Sequence, residues 1–296
     1  MGENSTIKEH VVNAVEYIES NLNNILTWDK LSEDLYLSKY YLHRIFKSIT
    51  GKGISEYVRG RKITESLYDL LNTNMFIGNI ANKYGFEYES SYTRTFKSEF
   101  SVSPSEYRNN PNTVNITPKA DISAITELEN SVIIKPFHCY KPSFVIGGVN
   151  YKVGYQDNDN NFMASRAAAE FFYGKRNFIS NAINPNIYYG FTHWSQLNTD
   201  FSYYLTGVEI SDIASLPEGF NYYAVPSSNY TIFRFIGLFN PEKITWIQLK
   251  DILDFVYYYF LKEKSVNKNE MYQFEHVDMS ICKEDYCELD LYIPVI

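Results

Sequence analysis

Arg44 and Lys47 stand three residues apart, and Arg94 and Lys97 repeat that spacing fifty residues later. An arginine can donate two parallel N–H bonds to a guanine edge, and a lysine can neutralise a phosphate. Three-residue spacing puts each pair on one face of a helix, so each pair could read and grip duplex DNA. Residues 38–62 carry seven basic side chains, Lys39, Arg44, Lys47, Lys52, Arg59, Arg61 and Lys62, against the single acid Glu56. Such a cluster is compatible with phosphate binding, but charge alone favours a solvated helix face. The chain of 296 residues has net charge −8, but residues 1–108 hold 13 basic and 14 acidic side chains. The surplus of acid lies in the remainder, 21 acidic against 14 basic.

The pairs belong to a longer repeat. FKSITGKGISEY at 46–57 and FKSEFSVSPSEY at 96–107 share six of twelve residues at an offset of 50, which also superposes Arg44 on Arg94. Duplication at a fixed offset marks one supersecondary unit used twice, and each copy reads as helix–turn–helix. In the first, LTWDKLSEDLY supplies a short helix with apolar Leu31 and Leu35. SKYYLHRIFKSITG follows, capped by Ser38. Its Leu42, Ile45, Phe46 and Ile49 form one stripe, with Lys39, Tyr40, Tyr41, His43, Arg44 and Lys47 opposite. In the second copy IGNIANKYGF supplies the short helix, and Gly85 permits the positive φ of a tight turn. The next helix turns Tyr92, Phe96 and Phe100 inward and Glu89, Ser90, Arg94 and Lys97 outward, after a turn one residue longer. ISEYVRGRKITESLYDLLNTN joins the copies as a long helix with Ile63, Leu67, Leu70 and Leu71 inward. Two such helices on a rigid linker would enter successive major-groove segments about 34 Å apart.

GFEYESSYTRTFKSEFSVSPSEYR resembles the second helix-turn-helix and C-terminal signature of the AraC/XylS family of bacterial transcription regulators. LSEDLYLSKYYLHRIFKSITGKGISEYVRGRK resembles that family's first unit and linker, and the likeness covers about residues 5–108. The resemblance implies base-reading positions at Tyr40, His43 and Arg44 in the first unit and at Glu89, Ser90 and Arg94 in the second. Three residues depart from the family pattern: Tyr36 where the turn commonly has Gly, Gly60 inside the linker helix, and the acidic Glu89 on a face meant for DNA. Glu89 could accept from a cytosine amino group or penalise other bases.

Residues 109–130 are polar, carry two prolines and read as a linker. From 131 the pattern becomes mostly β. SVIIKPF, FVIGGVNYKV, NIYYGFTHW, FSYYLTGVEI, NYYAV, NYTIFRFIG, MYQFEHV and ELDLYIPVI are rich in β-branched and aromatic residues, as strands are. Two long stretches interrupt them, FMASRAAAEFFYGKRNFISN and KITWIQLKDILDFVYYYFLKEK; in the second, Ile244, Ile247, Ile252, Leu253, Val256 and Phe260 approximate a helical stripe. The order is two strands, helix, two strands, twice over, which predicts an α+β domain of two related halves.

This half resembles the GyrI-like effector-binding fold, most specifically in FSYYLTGVEISDIASLPEGFNYYAVPSSNYTIFRFIG and the terminal YIPVI; the combination with the first half is similar to the Rob-like regulators. The resemblance implies a lipophilic, commonly cationic ligand held by an aromatic wall and a carboxylate. Tyr151, Trp194, Tyr203, Phe233 and Tyr272 are candidates for the wall. By resemblance Glu275 is the carboxylate, with Glu209 behind it; on alternation alone each Glu reads as a solvent-facing strand residue. Some proteins of this fold are hydrolases, and Glu275 with Tyr272 or Tyr203 could activate water.

No GxxxxGK[ST], GxGxxG or HExxH motif occurs, which removes nucleotide-binding and zinc-protease readings. The five histidines lack metal-ligand spacing, and Cys282 and Cys287 read as leftover thiols ahead of a metal or redox pair, so no cofactor and no metal are expected. Three cysteines without a CxxC pair fit a reducing cytoplasm. The N-terminus has neither a basic start nor an apolar run, and no segment approaches ~20 apolar residues in a row. MGENST matches a myristoylation pattern and Asn4-Ser5-Thr6 a glycosylation pattern, each without supporting context. The expected architecture is an all-α DNA-binding domain over 1–108 with two helix-turn-helix units, a linker over 109–130 and a GyrI-like α+β domain over 131–296. The expected function is a cytoplasmic, non-enzymatic transcription regulator. Its expected partners are double-stranded DNA at two adjacent major-groove segments, a small lipophilic or cationic aromatic effector, and RNA polymerase. The competing readings make the second domain a ligand-free protein-interaction module or a hydrolase.

Overall fold

A computed structural model of the chain describes residues 6–128, 131–154, 163–194, 200–240, 250, 252–257 and 272–295. Residues 1–5, which carry most of the MGENST and Asn4-Ser5-Thr6 matches, lie outside them. Contacts group the chain into two units, Met1–Ile125 and Thr126–Ile296.

Residues 7–20, to which the repeat assigns no element, form α1 (Ile7–Ser20), opened by a Thr6–Glu9 capping box and burying Val11, Ala14, Val15 and Ile18. The first repeat gives α2 (Trp28–Asp34) and α3 (Lys39–Thr50); the second gives α5 (Ile77–Lys83) and α6 (Glu89–Phe100). Thr27 and Ser38 cap α2 and α3 by accepting from the backbone N–H of Lys30 and Tyr41. Helices α3 and α6 keep the 50-residue offset, whereas α2 and α5 are offset by 49, the one extra turn residue of the second copy. Each turn needs one left-handed residue, Tyr36 (φ 55°) in the first copy and Gly85 (φ 67°) in the second. Each long helix likewise ends on one, Gly51 (φ 73°) and Ser101 (φ 64°). The duplication thus retains the backbone conformation although glycine occupies only one member of each pair. A non-glycine residue there costs roughly 1–2 kcal/mol.

Helix α4 (Ile54–Asn72) is the keel, touching α3, α5, α6 and α7 (Pro104–Asn109). Ile63 and Leu70 are buried, but Leu71, expected inward, is 43% exposed. Consecutive helical residues lie about 100° apart, so the face that buries Leu70 turns Leu71 out. Arg61 is 6% exposed and fully engaged: its Nε and Nη2 donate to Glu19 at 2.8 Å, Nη2 to Glu65 at 2.6 Å and Nη1 to the Thr117 carbonyl at 3.0 Å. The anomalous Gly60 makes room for the same residue, because a Cβ at Gly60 would stand 2.4 Å from Thr117 Oγ1. Thr117 also donates its N–H to Thr64 and accepts from Lys52, and the Ala120 N–H donates to Tyr57. Residues 117–120, in the stretch expected as a linker, therefore form a strap along α4.

In the second unit β1 (Ile125–Leu128), β2 (Ser131–Lys141) and β3 (Phe144–Gly154) precede α8 (Met163–Glu170), which widens into a π-helical turn at Phe171–Lys175. Then come β4 (Ile187–His193), β5 (Phe201–Glu209), β6 (Asn221–Val225), β7 (Ser228–Gly237), β8 (Tyr272–Asp278) and β9 (Cys287–Val295). Of the second expected helix, residues 252–257 are helical and bury Ile252 and Val256; Ile244, Ile247 and Phe260 lie outside the described residues.

The antiparallel sheet has the order β1-β2-β7-β9-β8-β4-β5-β3-β6. With β1 set aside the order is palindromic in the two halves, β2–β5 and β6–β9. The first strand of each half lies beside the second strand of the other. Only residues 142–143 connect β2 to β3, yet six inter-strand spacings separate them in the sheet. A flat sheet would hold them about 29 Å apart, and three peptide links span at most about 11 Å, so the sheet rolls up. Inside the roll Phe144, Tyr189, Phe191, Tyr230, Tyr272 and Phe274 pack together. The outer face buries Tyr188, Val208, Phe233 and Leu291 against Phe171, Phe172, Ile252 and Val256.

Gly60→Ala should destabilise the chain by about 1–3 kcal/mol through overpacking against Thr117, despite about 1 kcal/mol of helix propensity in favour of alanine. Chemical denaturation checks this, and adding Thr117→Gly should restore most of the loss.

Candidate nucleic-acid interface and buried carboxylate

The capped and packed α3 leaves Lys39, Tyr40 and Lys47 exposed, with His43 and Arg44 half-buried. Tyr41, read with the outward set, is half-buried and its hydroxyl pairs with His10 on α1 at 2.9 Å. The Arg44 guanidinium lies 4.9 Å from the centroid of the Tyr40 ring, a cation–π contact that limits the rotamers arginine must give up on binding. Lys39 pairs with Asp29 at the start of α2; both are exposed, so the pair adds little stability. On α6 Glu89, Ser90, Arg94 and Lys97 are all exposed. Glu89 reaches back over the first turn of α5, its Oε2 2.8 Å from where a Cβ on Gly78 would be. The two helices thus bring the expected nucleic-acid residues onto equivalent faces of equivalent elements.

The expected ligand residues do not share a face. Register places Tyr203, Glu209 and Tyr272 inside the roll, alongside Leu205, Phe191 and Phe274. Tyr203 stacks on His193 with centroids 5.2 Å apart, Glu209 accepts from the Tyr189 hydroxyl at 3.0 Å, and the Tyr272 hydroxyl pairs with that of Tyr230 at 2.8 Å. Tyr151, Phe233 and Glu275 lie on the outer face. Phe233 there is wholly buried core, and Tyr151 meets Glu170 and Lys175 beside α8. Trp194 is half-buried just past β4. Period-2 alternation assigns residues to two faces; which Tyr shares a face with Glu275 depends on register, which no single strand reveals.

Around Glu275 the structure assembles residues that were not expected to act together. Tyr204 donates its hydroxyl to Glu275 Oε2 at 2.8 Å, and the Tyr188 hydroxyl lies 2.8 Å from that of Tyr204. Burial pushes the Glu275 carboxyl up to about 7, although the Tyr204 bond pulls the other way. Gly190 is the enabling residue: a Cβ there would meet the Tyr204 hydroxyl at 2.3 Å and Glu275 Oε2 at 2.4 Å. Gly190 and Glu275 are directly paired across β4 and β8. Matching strand bounds (187 to 272, 193 to 278) makes them equivalent in the two halves. The internal dyad therefore runs between a glycine and a glutamate, and the carboxyl fills the space its counterpart vacates. A glycine inside the strand NIYYGFTHW was the available sequence signal.

Cys282 and Cys287 donate their thiols to the Asp278 and Gly237 carbonyls. Among the described residues no group of His, Cys, Asp and Glu could hold a metal ion, and no helix is long and apolar enough to cross a membrane.

Residues 31–110 match a family described as a helix-turn-helix domain, and residues 139–295 match one described as an integron-associated effector binding protein. Duplicated helix-turn-helix units ahead of that fold define an AraC-type DNA-binding transcription regulator with a GyrI-like C-terminal unit. Over 94 residues, 32% of this chain and 74% of the relative, the sequence is 43% identical to the multiple antibiotic resistance protein MarA of Salmonella typhimurium. Over 95 residues, 32% of this chain and 33% of the relative, it is 35% identical to the right origin-binding protein of Escherichia coli K12. The solved integron cassette protein of Vibrio cholerae aligns with 57% of this chain and 100% of its own at 15% identity and a TM-score of 0.42. The chain belongs to the AraC family in its MarA-like branch, with an integron-type effector-binding unit as its second half.

Arg44→Ala and Arg94→Ala should each weaken binding to the cognate site by about 1–3 kcal/mol and relax the preference at one base position. Lys97→Ala should weaken all sequences alike and lower the log–log salt slope by about 1. Fluorescence-anisotropy titration over a salt series checks both; an unchanged operator affinity in either arginine variant excludes that helix as the reader. Glu275 also titrates stability. Its folded pKa exceeds the unfolded value, so the stability it contributes is full below about 4.5 and is lost as pH rises through about 7. Glu275→Gln should therefore be more stable than the parent at pH 8, by up to about 3 kcal/mol, with the advantage vanishing below pH 4.5 in parallel thermal melts.

Proposed function

We propose that this regulator holds DNA through α3 and α6 in two adjacent major-groove segments and senses a small lipophilic cation at Glu275. The observation that carries the sensing half is a half-buried carboxyl, raised in pKa by desolvation, with one described donor, Tyr204, and no described cation beside it. Ionising such a group away from water is unfavourable; a desolvated organic cation supplies the missing charge, and Tyr151, packed with Tyr204, offers aromatic surface for it. A regulator needs binding without turnover, since an effector acts by favouring one of two states that differ in DNA affinity or polymerase recruitment. Tyr272 and Tyr203, the hydroxyls considered as catalytic partners of Glu275, point to the opposite face of the sheet.

The test is calorimetric titration of the full chain with tetraphenylphosphonium, a cation whose charge does not depend on pH. Only the ionised form of Glu275 should bind it, so affinity should tighten by roughly tenfold from pH 6 to pH 8 and then level off, as the competent fraction rises. Glu275→Gln should remove the pH dependence and at least tenfold of the affinity while sparing neutral aromatics. Equal loss of cationic and neutral ligands would sink the charge argument, and no binding across a ligand panel would favour a partner-binding role for the second unit.

A further inference from the structure

Beside the linker helix the first unit contains a cleft of about 250 Å³ that the DNA-reading faces do not use. Its walls come from both repeats: Ile25 and Leu31 at α2, Ile54 and Val58 on α4, and Phe86 after the Gly85 turn. Lys62 reaches into it from α4 with 5% of its surface exposed. A buried ammonium is unfavourable unless acceptors meet its N–H groups. Among the described residues one acceptor meets these three, the Asn24 carbonyl at 2.7 Å, with the Phe86 ring centroid 5.7 Å away. None of the described carboxylates offsets the charge, and burial alone pushes the Lys62 pKa down to about 8. Arg59, exposed at the rim, adds a second positive charge. Gly85 keeps the approach open, since a side chain there would stand 2.8 Å from Lys62 Nζ and 2.5 Å from the Asn24 carbonyl.

We propose that this cleft is a second ligand site, for a small apolar monocarboxylate whose charge pairs with Lys62 and whose hydrocarbon part lies against Leu31, Ile54, Val58 and Phe86. The carboxylate supplies the anion the desolvated ammonium lacks, in a bond about twice as strong as a neutral one. The volume equals about eight waters at ~30 Å³ each, room for a short chain or a single ring and too small for a long acyl chain. The occupant would touch both repeats at once, so it would bear on how firmly α3 and α6 are held. The site is positive where the Glu275 site is negative, and the two would take different ligands.

Calorimetric titration of the full chain with octanoate and benzoate, beside octan-1-ol and benzamide, tests the assignment. At least one carboxylate should bind saturably and at least tenfold tighter than its neutral counterpart. Lys62→Met should weaken it at least tenfold, and Glu275→Gln should leave it unchanged. Ser55, exposed on the rim, gives a second variant: Ser55→Trp should block the cleft with Lys62 in place, and it decides the matter if Lys62→Met does not fold. Equal affinity for the neutral compounds, binding that survives a folded variant, or no saturable binding of either carboxylate overturns the site. Loss of binding in Glu275→Gln places the carboxylate elsewhere and overturns it too.

Discussion

A guanidinium stripped of water must find a partner for nearly every N–H, and Arg61 does so by drawing three segments together, α1, α4 and the strap. Glu19 comes from α1, Glu65 from the next turn of α4, Tyr57 shares Glu19, and the Thr117 carbonyl comes from the strap. Breaking one side of a buried ion pair is worth about 3–5 kcal/mol, a large part of the ~5–15 kcal/mol that holds an ordinary domain folded. DNA reading depends on this indirectly. Two recognition helices can address two groove segments only if the helix between them is rigid, and Arg61 is where that helix is tied down. Lys62, buried, and Glu275, half-buried, make the contrast, each with one described hydrogen-bond partner. Near-complete compensation ties Arg61 into the fold, whereas the sparse pairing of Lys62 and Glu275 is what motivates the two proposed ligand sites.

Much of the first unit was legible because its logic is local. Helix caps, stripes at i, i+3 and i+4, and a repeated stretch depend on neighbours in sequence, and the 49-against-50 offset was visible as one extra turn residue. Tyr36 shows how far this reaches: a tyrosine adopts the left-handed turn that Gly85 adopts in the other copy, because the duplicated packing fixes the backbone there. Gly60 shows where it stops. Its reason, Thr117, lies 57 positions along the chain in a segment that looked like linker, and no pattern at either end announces the contact.

The second unit was legible as strands and opaque as a site. All eight expected strands form, but six of the expected ligand residues divide between the faces of a rolled sheet and the seventh, Trp194, lies past the end of β4. Glu275 was singled out for its chemistry, whereas Tyr204, Tyr188 and Gly190 become significant only once register brings them beneath it. The asymmetry at the dyad explains why a duplicated fold has one such carboxyl. Two glutamates facing each other there would repel and collide, since a Cβ at Gly190 already meets the Glu275 carboxyl.

The exchange of first strands between the halves has a consequence for origin. A chain holding one half alone would lack the strand that borders its second strand, and its own first strand would have no place to pair. It could complete the sheet only with a second copy, each lending the other its first strand, which is a closed two-fold dimer made by swapping. The present unit has the strand order of such a dimer within one polypeptide. In a single chain the two sides of the axis can differ, and here one side carries Gly190 and the other Glu275.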